Sequence, residues 1–146
     1  MSTINKPPQF EFRVYEDGDE AYLTFSEASG LETSTLAEEI DSHGAKTLVS
    51  RTASPKKNIV LRNGLNPYQG WFKKWWELCK DTTEKVRTKS IVIQLTHANG
   101  KELLQWRLTN CIPTRFSIYD VAVFGGSVHM ELIELSYDEI QVKKLN

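Results

Sequence analysis

The chain has 146 residues, of which 40% are hydrophobic and 25% are charged, and this length favours one domain, residues 1–146, with a single core. The composition excludes a disordered or low-complexity protein, and no apolar run approaches the roughly 20 residues that a membrane-spanning helix needs. A net charge of −1 argues against binding to nucleic acid or to an anionic membrane. We expect residues 1–8 to be flexible; they lack the apolar centre of a secretory signal, which predicts folding in the cytoplasm.

The charges are unevenly distributed along the chain. Residues 1–50 hold 10 acidic and 3 basic side chains, whereas residues 51–90 hold 3 acidic and 10 basic ones. If the fold places these two segments at opposite ends of the molecule, copies attract one another head to tail. If the fold brings the segments together, they neutralise each other within one subunit, and the sequence leaves both arrangements open.

The first predicted elements are two strands joined as a hairpin. Residues 9–15 alternate apolar and polar side chains with the period of a half-buried strand, and residues 21–25 resume that pattern after a turn-forming segment at residues 16–19. Gly30 suits a left-handed backbone position, and we expect it to carry the chain away from this first sheet.

Residues 32–57 are mostly polar and small, and we interpret them as a long extended arm. An arm of this length without its own core needs partners for its backbone groups, so we expect another subunit to order it. A short strand is predicted next at residues 58–62, and Asn63 and Gly64 end it.

A helix is predicted over residues 67–80. Asn66 is a suitable N-cap and Pro67 suits the first helical position. Apolar residues follow at three- and four-residue spacing, which is typical of an amphipathic helix facing a core; they are Trp71, Trp75, Leu78 and Cys79. The alternative is an exposed indole platform for stacking on sugars, but helical spacing favours the core-facing stripe.

The remainder of the chain predicts strands. Asn99 and Gly100 join two alternating runs at residues 90–95 and 102–108, which is the strongest short signal for a hairpin. Further extended segments are predicted at residues 114–119 and 127–137. The fold class is therefore mainly β: a small antiparallel barrel or two packed antiparallel sheets, with one flanking α-helix and the long arm.

The sequence contains no motif typical of a nucleophile, a metal site or a phosphate-binding loop. His129 and Glu131 share a face of the last strand, and we interpret them as part of a polar cross-strand ladder rather than as an acid/base couple. Cys79 and Cys111 are interpreted as reduced thiols. We therefore expect no cofactor, no metal ion and no enzymatic activity.

Five segments, in the same order, resemble the signature segments of T4-like phage tail tube proteins, and the resemblance extends from about residue 9 to residue 142. The segments are residues 10–14 (FEFRV), 25–32 (FSEASGLE), 59–65 (IVLRNGL), 106–113 (WRLTNCIP) and 128–135 (VHMELIEL). This family builds the inner tubes of contractile phage tails, extracellular injection systems and pyocin-like particles, and it is similar in fold to the tube protein of type VI secretion.

The resemblance implies a structural subunit that forms hexameric rings, with the rings stacked head to tail into a hollow tube. The implied partners are other copies of the chain, a sheath protein, baseplate or spike proteins and tube-terminating proteins, with effector cargo in the channel. It implies assembly in the cytoplasm of the producing cell and release of the particle in some systems. The arm departs from the family pattern at residues 43–44 and 54–56, so its stacking contact differs from that of an ordinary repeating subunit. A second role that we consider for this chain is therefore that of a tube-initiating paralogue at the baseplate.

The resemblance also assigns candidate site residues. Ring-to-ring contacts of the arm would involve Asp41, His43, Lys46, Arg51, Lys56 and Lys57. A sheath-facing helix surface would include Lys73, Lys74 and Lys80. The structural signature positions are Phe25, Ser26, Gly30, Leu31, Gly64 and Pro113. The alternative function from a different class is a monomeric β-barrel module that binds a sugar or an apolar ligand among Trp71, Trp75, Trp76 and Trp106.

Overall fold

The computed structural model describes residues 10–31, 37–40, 46–51, 57–65, 70–81 and 87–145. These residues form ten β-strands and one α-helix, α1 (Trp71–Asp81). The strands are β1 (Phe10–Glu16), β2 (Tyr22–Phe25), β3 (Glu27–Ser29), β4 (Ala37–Ile40), β5 (Lys46–Arg51), β6 (Lys57–Gly64), β7 (Lys89–His97), β8 (Glu102–Val123), β9 (Gly126–Tyr137) and β10 (Glu139–Lys144).

All strand pairs are antiparallel, and they form two layers that share β8. The long sheet has the order β2-β1-β7-β8-β10-β5-β4, and the short sheet has the order β3-β6-β9-β8. The described strands do not close into a barrel, because β2, β4 and β3 are the ends of this network. The predicted mainly β fold is therefore confirmed in its form of two packed sheets.

The 22-residue strand β8 passes from one sheet to the other. Its first part pairs with β7 and β10, and its second part, from Ile112 onward, pairs with β9. Asn110 has a φ of 51°, and the register with β9 shifts between Pro113 and Arg115. The prediction of two separate strands here was wrong, because Pro113 lies beside a bulge, where a strand tolerates the missing N–H group.

The core lies between the two sheets and follows the strand period. Ile91 and Ile93 of β7 face inward from the long sheet, and Ile133 and Leu135 of β9 face inward from the short sheet; all four are fully buried. Because alternate residues of a strand point to opposite faces, a strand with this pattern presents its intervening residues to the outer side. The core is thus continuous across the sandwich.

The helix covers part of this core, but its bounds and its buried arc differ from the prediction. The proposed cap at residues 66–67 lies outside the described residues, and Gly70 precedes the helix. A Cβ atom at Gly70 would lie 2.4 Å from Leu23 Cδ2, so the chain enters the helix through a close contact with β2. Within the described residues, no helix is both long enough and apolar enough to cross a bilayer.

Phe72 and Trp75 are the buried anchors of α1, with exposures of 1% and 2%. Trp71, Trp76 and Cys79 are half-buried against the core. The prediction that Leu78 faces the core was wrong, since 53% of it is exposed. At 3.6 residues per turn, Leu78 points about 120° away from Phe72, which lies near the centre of the buried arc.

Part of the predicted arm is a pair of strands on the chain's own long sheet. Strands β4 and β5 pair with each other, and β5 pairs with β10 from Glu139 to Lys143. The expectation that another subunit supplies the backbone partners is therefore wrong for β5. The arm residues outside β4 and β5, except Lys57 at the start of β6, lie outside the described residues.

Candidate assembly interface

His129, which sequence analysis weighed with Glu131 for acid/base chemistry, forms a solvent-facing pair with a residue of the neighbouring strand instead. Asp120 of β8 lies opposite His129 of β9, and the Asp120 carboxylate contacts His129 Nδ1. Both side chains are mostly exposed, at 64% and 76%. The predicted cross-strand polar ladder is confirmed at this pair. Among the residues that the structure describes, no group of three His, Cys, Asp or Glu could hold a metal ion.

The basic and acidic segments contact each other at one end of the long sheet. Lys89 Nζ lies 2.7 Å from Glu16 Oε1, and Arg107 Nη1 lies 3.0 Å from Asp17 Oδ2. Lys89 belongs to the basic segment and Glu16 to the acidic segment, so part of the charge asymmetry is neutralised within one subunit. The basic residues of α1 remain toward solvent, with Lys74 and Lys80 exposed and Lys73 half-buried.

The proposed arm contacts are mostly beyond what the structure describes. Asp41, His43 and Lys56 lie outside the described residues, and for Lys46 and Arg51 the structure describes only the backbone, at the two ends of β5. Lys57 begins β6 and is half-buried. Their role in ring stacking therefore stays a prediction.

The structural signature positions lie where β3 and β6 approach each other. Gly30 has a φ of +92°, and a Cβ atom there would lie 2.3 Å from the Asn58 carbonyl oxygen. Leu31 is half-buried against the core, and Gly64 is buried at the end of β6. These positions permit close packing of two backbones, a task for which glycine is suited because it has no side chain.

The remaining signature residues are Phe25, Ser26 and Pro113. Phe25 is only 1% exposed, and the Ser26 N–H donates a hydrogen bond of 3.2 Å to the Arg62 carbonyl oxygen. Pro113 is buried beside the β8 bulge. Five of the six signature positions thus lie in the β2–β3–β6 corner, and Pro113 marks the change of sheet.

The four tryptophans do not form an exposed platform. Trp75 and Trp106 are buried, at 2% and 7% exposure, while Trp71 and Trp76 are half-buried against the core. Trp75 Nε1 donates a hydrogen bond of 2.8 Å to the Arg87 carbonyl oxygen, and its ring packs against Phe72. The indoles therefore build the core, which removes the basis of the alternative ligand-binding hypothesis.

The end of the β8–β9 pair projects from the body of the molecule. We call residues 117–130 the ribbon. The last pairing of β6 with β9 is at Glu131, and beyond it no other described strand pairs with the ribbon. Its apolar side chains Ile118 and Val123 are 57% and 44% exposed, and Phe124 at the turn is completely exposed.

A cavity of about 310 Å³ opens near the base of the ribbon. We call it the corner cavity. It is lined by Phe10, Glu11, Thr24, Phe25, Ser26, Asn63, Leu65 and Ala98. Phe10 and Leu65 are also 41% and 53% exposed. Sequence analysis missed both features, although the apolar run at residues 121–124 before the double glycine was a signal for an exposed ribbon.

The described residues therefore form two sheets with open ends, a projecting apolar ribbon and an outer polar surface. Solved structures share this fold. A chain of the PVC sheath–tube complex, an extracellular contractile injection system in its extended state, is 24% identical with a TM-score of 0.60 over 99% of both chains. A chain of the PVC sheath/tube terminator is 26% identical, with a TM-score of 0.60 over 97% of this chain and 99% of that one.

A third similar chain comes from the tube-terminating cap of the anti-feeding prophage, with 22% identity, a TM-score of 0.61 and coverage of 99% of this chain and 95% of that one. None of the curated protein sequences compared with this chain matches it. The sequence profile of the T4-like virus tail tube protein gp19 matches residues 8–141, so the chain belongs to that family. The family resemblance is confirmed, and the family is one of structural tube proteins, not of enzymes.

Proposed function

We propose that copies of this chain form hexameric rings that stack head to tail into the hollow inner tube of a contractile phage tail or injection particle. Family membership carries this proposal. The sheet ends support it, because β2 and β3 each pair with a single other described strand, and a neighbouring copy would extend the sheet there. Assembly in the producing cell, and association with sheath, baseplate and terminating proteins, follow from the same proposal.

The outer face of the long sheet suits a water-filled channel. Many of its cross-strand neighbours are polar: Arg13 lies opposite Gln94, and Gln94 lies opposite Gln105, while Tyr15 and Val92 form a small apolar pair on the same face. Arg107 lies opposite Gln141 in the same layer. A face of mixed charge and amide groups holds cargo weakly, because it offers neither a large apolar patch nor a field of one sign. We infer that this face lines the channel.

The arm and the helix have different proposed partners. The basic residues of the arm, Arg51, Lys56 and Lys57, contact an adjoining ring, and the lysines of α1 face the sheath. Arg51 ends β5, which pairs with β10 of the same chain. Opposite charges on stacked faces favour head-to-tail addition of rings.

Charge reversal separates these roles. The triple variant R51E, K56E, K57E is expected to form rings that stack into shorter and fewer tubes, as seen by negative-stain electron microscopy of purified protein. The matched control K73E, K74E, K80E has the same change in charge and is expected to form normal tubes without sheath. Tubes of normal length and yield from the arm variant would contradict the role of the arm.

The copy number of the subunit in each particle distinguishes its two possible positions along the tube. A main tube subunit is present in many rings of each particle, whereas an initiating paralogue is present in few. Quantitative mass spectrometry of purified particles, with the sheath protein as the internal standard, is expected to show comparable amounts of this chain and sheath. A ratio far below one would assign the chain to the tube end instead.

A further inference from the structure

The ribbon needs a partner that the described part of its own chain does not provide. Isolated two-stranded hairpins are marginally stable in water, and contiguous exposed apolar surface marks an interaction site. Beyond Glu131, the ribbon pairs with no other described strand, yet it exposes three large apolar side chains, those of Ile118, Val123 and Phe124. An aromatic ring held at the end of a paired ribbon, wholly in solvent, indicates a contact made on assembly.

The corner cavity has the size and lining to accept that ring. An apolar cavity of about 150 Å³ is known to bind benzene, and the corner cavity measures about 310 Å³. Phe10, Phe25 and Leu65 supply its apolar lining. Since Phe10 and Leu65 are themselves partly exposed at this site, seating a phenyl ring there covers both of these apolar side chains as well as the ring itself.

Geometry prevents the ribbon from filling the cavity of its own chain. The Tyr119 hydroxyl donates a hydrogen bond of 2.6 Å to Asn63 Oδ1 and accepts one of 2.9 Å from the Asn63 N–H. Asn63 also lines the cavity, so the cavity lies at the base of the ribbon. Phe124 follows Tyr119 by five residues, which at about 3.4 Å per residue places it roughly 17 Å farther along the ribbon.

We propose that Phe124 of one copy inserts into the corner cavity of the next copy in the ring. This inference rests on the proposed function. Each copy then offers its tip to one neighbour and its cavity to the other, which is a head-to-tail contact that closes into a ring if the rotation between copies allows it. Thr24 and Phe25 of the cavity belong to β2, the first strand in the order of the long sheet, so the arriving ribbon meets the edge of that sheet.

Complementary variants test the contact. F124S removes the tip and leaves the cavity intact, whereas A98W places a large side chain at the exposed cavity rim and leaves the tip intact. Each alone is expected to raise the concentration for half-assembly about tenfold or more, as for loss of one buried aromatic contact. A mixture of the two is expected to form dimers but no rings, because one kind of contact remains. L78S, at an exposed apolar residue of α1, is the matched control and is expected to assemble normally.

Sedimentation velocity and negative-stain microscopy provide the readout. Normal assembly of F124S and A98W, with rings of the unmodified protein present, overturns the Phe124 contact and leaves the proposed function standing. An unmodified protein that never associates overturns both. If A98W fails to fold, the double variant F124C, A98C replaces it: a short bismaleimide is expected to join neighbouring copies into a ladder that neither single variant gives, and rings without that ladder overturn the contact.

Discussion

Replacing Gly30 by alanine tests how closely the segment after β3 approaches β6. The added Cβ atom would lie 2.3 Å from the Asn58 carbonyl oxygen and 3.2 Å from Ile59 Cα. Both atoms belong to the backbone of β6, a strand paired on both sides by β3 and β9, so they cannot rotate away as a flexible side chain would. The residue also has a φ of +92°, which an L-amino acid rarely adopts.

The expected loss of stability has two parts. A side chain at positive φ costs about 1–2 kcal/mol, and overpacking against a strand that cannot move freely costs about 1–3 kcal/mol. The G30A variant should therefore lose about 2–5 kcal/mol of unfolding free energy. For a chain of this length the unfolding entropy is about 0.3 kcal/mol/K, so the melting temperature should fall by roughly 7–17 °C.

G18A is the matched control, because Gly18 has a φ of +88° but no atom within 4 Å of its missing Cβ. It should show the conformational part alone, about 1–2 kcal/mol or roughly 3–7 °C. Differential scanning calorimetry and urea unfolding at a concentration where the protein is monomeric provide both values. Equal losses for G30A and G18A would refute the argument that close approach of the β6 backbone selects glycine at position 30.

Three further predictions concern the core, a half-buried hydrogen bond and pH. W75A should lose about 3–5 kcal/mol in urea unfolding, as expected for a fully buried aromatic side chain, whereas W76A at a half-buried position should lose clearly less; similar losses would contradict the assigned helix face. Y119F removes the hydroxyl that binds the backbone and side chain of Asn63 and should cost about 1–2 kcal/mol; an unchanged urea midpoint would show that this contact does not hold the base of the ribbon. Burial raises the pKa of Tyr15 above its ordinary value of 10.0, and its hydrogen bond to Arg13 opposes this. As the pH rises, Tyr15 therefore loses its proton at a lower pH in the unfolded state than in the folded state. The contribution of neutral Tyr15 to the free energy of unfolding is complete below pH 10 and is lost as the pH rises through the folded-state pKa. Between about pH 9 and pH 11, the free energy of unfolding should fall less steeply with pH for Y15F than for the unmodified protein. An equal pH dependence in the two proteins would contradict this prediction.

Local patterns predicted the elements whose signal lies within a few consecutive residues. Alternation and turn residues located β1, β2 and the β7–β8 hairpin, because Asn-Gly and Asp-Gly turns need only their own backbone geometry. Helical spacing located α1 but misjudged Leu78. Spacing defines an arc on the helix surface, whereas the centre of the buried arc depends on what packs against it.

The candidate surfaces were harder to predict, because each combines residues far apart in sequence. The corner cavity joins the start of β1, the end of β2, the end of β6 and Ala98 in the β7–β8 turn. Segment 121–124 reads as an ordinary apolar strand, and only the absence of a third described strand beside it shows that Phe124 is exposed. Similarly, the pairing of β5 with β10 depends on a partner almost 90 residues away.

The amino-acid sequence alone determined the mainly β class, the helix α1, the left-handed glycine at position 30 and the family, since these depend on local periodicity, backbone preference and the order of the signature segments. Only the tertiary structure decided that β8 serves both sheets, that part of the arm rests on its own chain, and that the ribbon and the corner cavity are both left open. The physical reason is that burial and strand pairing depend on contacts between distant segments. The local sequence pattern shows which face of an element is apolar, but it does not show which segment packs against that face.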